Sequence, residues 1–117
     1  MIIRKSQFDQ MASERFLDRV IEILCASYPD ARSSLSSEMG RAALREQYSK
    51  AIGYGLSPEA SAARYLITAW LLGPDFDTRF PAMHEVLSDP SIAPWRKAES
   101  IESFAVTLLE MLQAGRA

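Results

Sequence analysis

The chain has 117 residues, enough for one hydrophobic core, and an ordinary globular composition. Apolar residues make up 48% and charged residues 24% of it, which argues against intrinsic disorder. With 13 basic and 15 acidic residues, the formal net charge is −2, so no excess of positive charge favours nucleic acid or an anionic membrane. We expect a single helical domain over residues 1–117 that binds neither.

Cysteine content and hydropathy point to a cytoplasmic protein. Cys25 is the only cysteine, so an intramolecular disulfide is impossible, and its apolar neighbours predict a small core residue. The first six residues lack the apolar stretch of a signal peptide. The longest apolar run, residues 65–73, is about half of the roughly 18 residues that span a bilayer.

The first half of the chain predicts two helices and a short turn. Ser6 and Asp9 resemble a capping box, and the residue before Pro29 is disfavoured in a helix, so a helix is expected over residues 7–27. A short helical turn is expected within residues 29–37. Ser37 is the expected cap of a second helix that ends at Gly55. The expected inward residues are Ala12, Phe16, Val20, Ile23, Leu24, then Leu44, Tyr48, Ala51 and Ile52.

The second half predicts three more helices. Ser57 as the cap and Pro58 at the first helical position start a helix that Gly73-Pro74 ends. Residues 75–81 are expected to form a loop, and Pro81 is expected to open a short helix through Leu87. A last helix begins near Pro94. The expected inward residues are Ala63, Leu66, Ile67, Trp70, then Ala98, Ile101, Ala105, Leu108 and Leu112. Because no segment alternates with period two, the predicted fold is all-α, an irregular bundle of about four to five helices.

No catalytic, cofactor-binding or metal-binding constellation stands out, so we expect a protein that is not an enzyme and has no cofactor. His84 lacks the ligand cluster that zinc requires. Asp75 and Asp77 are expected to satisfy backbone N–H groups near the next helix start. A helix-turn-helix is an open alternative, because Ala51, Gly55 and Leu56 lie at suitable offsets, although Arg64 is the only basic contact in the second helix.

The aromatic residues suggest where a protein partner binds. Phe76 and Phe80 lie between charged residues, as apolar anchors with a charged rim do. The alternative is that both rings fold back and close the end of the bundle. The candidate partner-binding residues are Tyr65, Asp75, Phe76, Asp77, Arg79 and Phe80.

Three short motifs carry a resemblance to a known group: residues 53–57 (Gly-Tyr-Gly-Leu-Ser), 63–66 (Ala-Arg-Tyr-Leu) and 72–77 (Leu-Gly-Pro-Asp-Phe-Asp). The chain resembles small helical proteins encoded in bacterial type VI secretion effector clusters, beside PAAR or VgrG spike proteins and their adaptors. It has Thr78-Arg79 where those proteins often carry a further acid or polar residue. The resemblance implies a co-chaperone or adaptor whose partner is an effector, an adaptor or a spike component. An immunity protein that inhibits a toxin is the other protein-binding hypothesis.

Overall fold

The computed structural model describes the backbone of residues 5–115 and the side chains of residues 13–115. This part of the chain is helical without any strand, which confirms the all-α prediction. The helices are α1 (Lys5–Ser27), α2 (Ala31–Leu35), α3 (Glu38–Gly53), α4 (Glu59–Leu72), α5 (Phe76–Arg79), α6 (Pro81–Ser88) and α7 (Pro94–Ala114).

Residue contacts divide the chain into two compact units, Met1–Glu46 and Gln47–Ala117. Helix α3 runs from the first unit into the second. Each unit is compact in itself. That residues 1–117 form a single domain stays a prediction.

In the first unit, α1 begins at Lys5, two residues earlier than expected. Ser6 therefore lies inside the helix rather than capping it, and the side chains of Ser6, Asp9 and Ala12 lie outside the described residues. The predicted inward position of Ile23 is wrong, because the buried stripe of α1 runs through its neighbours and leaves Ile23 exposed. The buried apolar residues here are Phe16, Leu17, Val20, Ile21, Leu24, Cys25, Ala31, Leu35 and Leu44.

An ion network also joins α1 to α3 within the first unit. Arg41 binds the carboxylates of Glu14 and Asp18, the latter at 2.7 Å. Arg45 Nε donates to Glu14 Oε1 at 2.7 Å. The predicted cap of α3 is confirmed, because Ser37 Oγ accepts a hydrogen bond from the N–H of Gly40 at 3.0 Å.

In the second unit, α3 ends in the turn that its sequence predicts. Gly55 has φ +88°, and its N–H donates to the carbonyl of Ile52 at 2.9 Å. The N–H of Leu56 donates to the carbonyl of Ala51, also at 2.9 Å, and the Leu56 side chain is buried. These two bonds form a Schellman motif, for which glycine is favoured because it has no Cβ to strain at positive φ.

Helix α4 starts one residue later than predicted. Pro58 has ψ 136°, an extended conformation, so it is the N-cap and Glu59 is the first helical residue. The carbonyl of Pro58 accepts the first helical bond, from the N–H of Ala62 at 2.9 Å. The predicted cap at Ser57 is therefore wrong. Gly73, with φ 110°, ends the helix as expected.

The region expected to be a loop, residues 75–81, contains the one-turn helix α5. Helix α6 begins at Pro81 and α7 at Pro94, as predicted. Helices α4 and α7 pack against each other, and the predicted inward stripe of α7 is confirmed for Ala98, Ile101 and Ala105. Leu112 is exposed instead, although it continues the same stripe.

Candidate functional site

The candidate partner-binding residues differ in how far they are buried. Tyr65 and Phe76 are 0% exposed and Asp77 is 2% exposed. Phe80 is half-buried, whereas Asp75 and Arg79 are exposed. The expectation that Phe76 anchors a partner from an open loop is therefore corrected: its ring points into the core of the second unit, as the alternative interpretation had it.

Asp77 is the centre of a buried polar cluster rather than a helix cap. Its Oδ1 accepts a hydrogen bond from Lys50 Nζ, and its Oδ2 accepts one from the hydroxyl of Tyr54, each at 2.8 Å. Burial alone would raise the pKa of Asp77, but these two bonds outweigh it, so the pKa lies below its usual value. The cluster stabilises the carboxylate and holds α5 against the end of α3.

The ring of Tyr65 packs on two neighbouring rings. Its centroid lies 4.9 Å from that of Phe76 and 6.0 Å from that of Tyr54. Burial raises the pKa of Tyr65 well above its usual value, and the nearby charge of Asp77 adds to this. The Tyr65 hydroxyl and Gln47 Oε1 are buried without a hydrogen-bond partner among the described residues. Tyr65 therefore acts as core packing and offers no surface to a partner.

The exposed remainder of the predicted site is small. The Arg79 guanidinium lies 5.2 Å from the ring centroid of Phe80 and 3.9 Å from the carboxylate of Asp75. The ring of Phe80 packs on that of Phe104, with centroids 5.4 Å apart. An exposed ion pair such as that of Arg79 and Asp75 contributes at most about 1 kcal/mol. These exposed residues therefore do not amount to an anchor surface.

A larger apolar surface lies on α4 and α7. The prediction that Ala63, Ile67 and Trp70 face inward is wrong: Ala63 and Ile67 are half-buried and Trp70 is 38% exposed. The buried face of α4 is Ser61, Ala62, Tyr65, Leu66, Thr68 and Ala69. We define the α4–α7 face as Ile67, Trp70 and Leu71 of α4 with Val106 and Leu109 of α7.

The α4–α7 face includes a narrow apolar groove of about 160 Å³, lined in part by Ile67, Leu71, Val106 and Leu109. At its rim, Arg64 Nε lies 3.2 Å from Glu102 Oε2. The sequence does carry a sign of this surface. Only Glu59 and Arg64 are charged among the 14 residues of α4, so the helix is apolar on more than one side.

A second feature missed by sequence is the buried Lys97, which is 5% exposed. Its ammonium donates to the carbonyls of Tyr54 and Leu87, each at 2.8 Å. These carbonyls belong to the C-terminal ends of α3 and α6, where the partial charges of a helix are negative. Two such ends compensate much of one positive charge, which explains how a lysine is buried here.

Between residues 5 and 115, no helix has both the length and the apolar character needed to cross a bilayer. Among the described side chains, those of residues 13–115, no group of three or more histidine, cysteine, aspartate or glutamate residues is placed to hold a metal ion.

Comparisons with known proteins add no relative. No protein-family model, no curated protein and no solved structure matches the chain.

Proposed function

We propose that this protein is a non-enzymatic interaction module that binds another protein through the α4–α7 face. The observation that carries the proposal is that α4 is apolar on two sides while only one of them is buried. A helix that is apolar all round normally has packing partners all round. A partner that covers Ile67, Trp70 and Leu71 would supply the missing contacts.

The groove beside these residues suits an apolar anchor from the partner. Its volume of about 160 Å³ matches one large side chain, and Val106, 49% exposed, stands at its edge. The residues that dominate binding energy at protein interfaces are often tryptophans, and they lie at apolar sites with a charged rim. The Arg64–Glu102 pair forms such a rim.

The partner that we propose is an effector, an adaptor or a spike component of a type VI secretion system. The support for it is the resemblance of residues 53–57, 63–66 and 72–77 to small proteins encoded in such clusters. In this role the protein acts in the cytoplasm as a co-chaperone or adaptor, covering apolar surface of the partner before secretion.

The two alternatives have weaker support. A DNA-binding α4 needs several cations on its outer side, but Arg64 is its only basic residue and is paired with Glu102. A toxin inhibitor usually presents a strongly charged surface. The α4–α7 face is instead mainly apolar.

The proposal is tested by measuring the affinity for co-expressed effector, adaptor and spike proteins from the same gene cluster. We expect Trp70→Ala and Val106→Asp each to weaken binding at least about tenfold, because each removes an exposed apolar contact. Trp95→Ala and Thr107→Asp are matched controls on exposed positions outside the face, and they should leave affinity unchanged. Equal losses for controls and test variants, or binding that no variant affects, would refute this face as the contact site.

A further inference from the structure

A second surface of the Gln47–Ala117 unit is an open groove of about 600 Å³, distinct from the α4–α7 face. It lies where the ends of α3 and α6 meet the start of α7, and we call it the Lys97 groove. Its volume is within the range of small-molecule sites. The lining includes Gly53, Gly55, Leu87, Pro90, Ile92 and Lys97.

The wall of the Lys97 groove combines apolar residues and the polar residues Tyr54 and Ser88 with one buried cation. Lys97 uses two of its three ammonium hydrogens on the carbonyls of Tyr54 and Leu87. Among the described residues, these two carbonyls are the hydrogen-bond partners of Lys97. Because Lys97 lines the groove, its third ammonium hydrogen is available to a ligand bound there.

We propose that the Lys97 groove binds an aliphatic carboxylate. The ammonium of Lys97 contacts the carboxylate, and Leu87, Pro90 and Ile92 pack against the aliphatic part. A single spare N–H and a single cation suit a carboxylate better than a phosphate, which recruits several donors. The same chemistry occurs in the C-terminus of a peptide that ends in an apolar residue and in a free branched-chain acid.

The acidic neighbour of Lys97 gives the proposal an electrostatic test. Asp89 accepts hydrogen bonds at Oδ1 from the N–H and the hydroxyl of Ser91, at 2.9 Å and 2.6 Å. These two bonds from Ser91 hold the pKa of Asp89 below its usual value, and the positive charge of Lys97 adds to this. Asp89→Asn keeps the Oδ1 acceptor and removes the charge, so it should tighten carboxylate binding about two- to threefold at low ionic strength.

A steric test uses Gly53. A Cβ built at this position meets nothing within 4 Å, and Gly53 is not at positive φ. Gly53 also lines the groove, so Gly53→Leu is chosen to add bulk at its wall where a Cβ has open space, and Gly53→Ala is the matched control. We expect Gly53→Leu to weaken binding at least about tenfold and Gly53→Ala to change it little.

The probes are N-acetyl-leucyl-leucine as the free acid, the same dipeptide as the amide, and 4-methylpentanoate. Each is titrated into the full chain and followed by amide chemical shifts. The dipeptide acid should bind at least about tenfold more tightly than its amide, and Lys97→Met should abolish that difference. Circular dichroism checks that each variant is folded.

The three probes distinguish a peptide C-terminus from a free aliphatic acid as the source of the carboxylate. Binding of the dipeptide acid alone identifies a peptide C-terminus as the ligand, and binding of 4-methylpentanoate as well identifies any aliphatic acid. If Lys97→Met does not fold, Gly53→Leu and Asp89→Asn still decide. Equal affinity for acid and amide, or no shift with any probe up to about 10 mM, would overturn the proposal.

Discussion

The hydroxyl of Tyr54 donates a hydrogen bond of 2.8 Å to the carboxylate of Asp77, although the two residues are 23 positions apart. This contact ties the turn after α3 to the one-turn helix α5. Lys50 holds the other carboxylate oxygen, also at 2.8 Å. The three side chains form a network in which every oxygen of the Asp77 carboxylate is used, and the network fixes the segment that the sequence suggested as a partner loop.

Removing the carboxylate of Asp77 should therefore destabilise the second unit. Asp77→Ala leaves Lys50 without its anionic partner and Tyr54 without its acceptor, and we expect a loss of about 2–3 kcal/mol in the free energy of unfolding. Tyr54→Phe removes one hydrogen bond and should cost about 1 kcal/mol. Urea titration measures both. A loss for Asp77→Ala no larger than that for Tyr54→Phe would show that the pair with Lys50 contributes nothing.

The same contact should be visible in the alkaline titration of tyrosine. Burial, and then the hydrogen bond to Asp77, raise the pKa of Tyr54 to about 12. A folded-state pKa above the unfolded value contributes stability that is present at neutral pH and is lost as the pH rises towards 12. Absorbance at the phenolate band should show Tyr54 ionising later than a free tyrosine. Tyr65 ionises at still higher pH, so Tyr54→Phe should remove only the step near pH 12, and an unchanged amplitude of that step in the variant would contradict the assignment.

The helix ends could be predicted from sequence because they depend on local backbone constraints. Gly55 and Gly73 both adopt positive φ where helices end, and Pro94 opens α7 as proline does at a first helical position. These constraints act within a few residues. The start of α4 lies one residue later than predicted, because Pro58 has the same φ in a helix and in an extended chain and only ψ distinguishes the two.

The candidate site depended on contacts that sequence does not encode locally. Tyr54 and Lys50, the partners of Asp77, lie 23 and 27 positions earlier in the chain. The residues near Asp77 in sequence do not indicate which side chains it contacts. For α4, the helical period could not tell which side is buried, because Leu66 and Ile67 suit the interior equally well. Clustered aromatic residues such as Phe76 and Phe80 likewise predict burial or binding, but not which of the two.

Acid should weaken the first unit through Glu14. Hydrogen bonds from Arg45 and Arg41 lower the pKa of Glu14 to about 2. A folded-state pKa below the unfolded value contributes stability that is present above the ordinary carboxyl pKa and is lost as the pH falls through about 2. Glu14→Gln should therefore flatten the decline of unfolding free energy between about pH 4.5 and pH 2. An unchanged acid slope would mean that Glu14 gains nothing from the two arginines in solution.

Phe76 and Phe80 should differ sharply in their effect on stability. Phe76 is fully buried against Tyr65, so Phe76→Ala opens a cavity and should cost about 3–5 kcal/mol. Phe80 is half-buried, and Phe80→Ala should cost about 1–2 kcal/mol. Phe76→Leu, which keeps most of the volume, is the control for a packing effect. Thermal unfolding measures the series, and equal costs for the two alanine variants would show that Phe76 is not core.

Two glycines in α3 should respond to alanine with opposite signs. Alanine normally stabilises a helix relative to glycine by up to about 1 kcal/mol. At Gly40, however, a Cβ would lie 2.0 Å from the carbonyl oxygen of Ser34 and 2.8 Å from the Cα of Leu35. Both are backbone atoms that no rotamer change can move, so α2 and α3 must separate.

We expect Gly40→Ala to lower the free energy of unfolding by about 1–3 kcal/mol, since the cost of overpacking exceeds the gain in helix propensity. At Gly53 a Cβ meets nothing within 4 Å, so Gly53→Ala should be neutral or stabilise by up to about 1 kcal/mol. Urea unfolding of the two variants compares the same substitution in the same helix. The difference between them therefore reports the steric cost of the Cβ at Gly40. A gain in stability at Gly40 would mean that α2 does not approach α3 as closely as the structure has it.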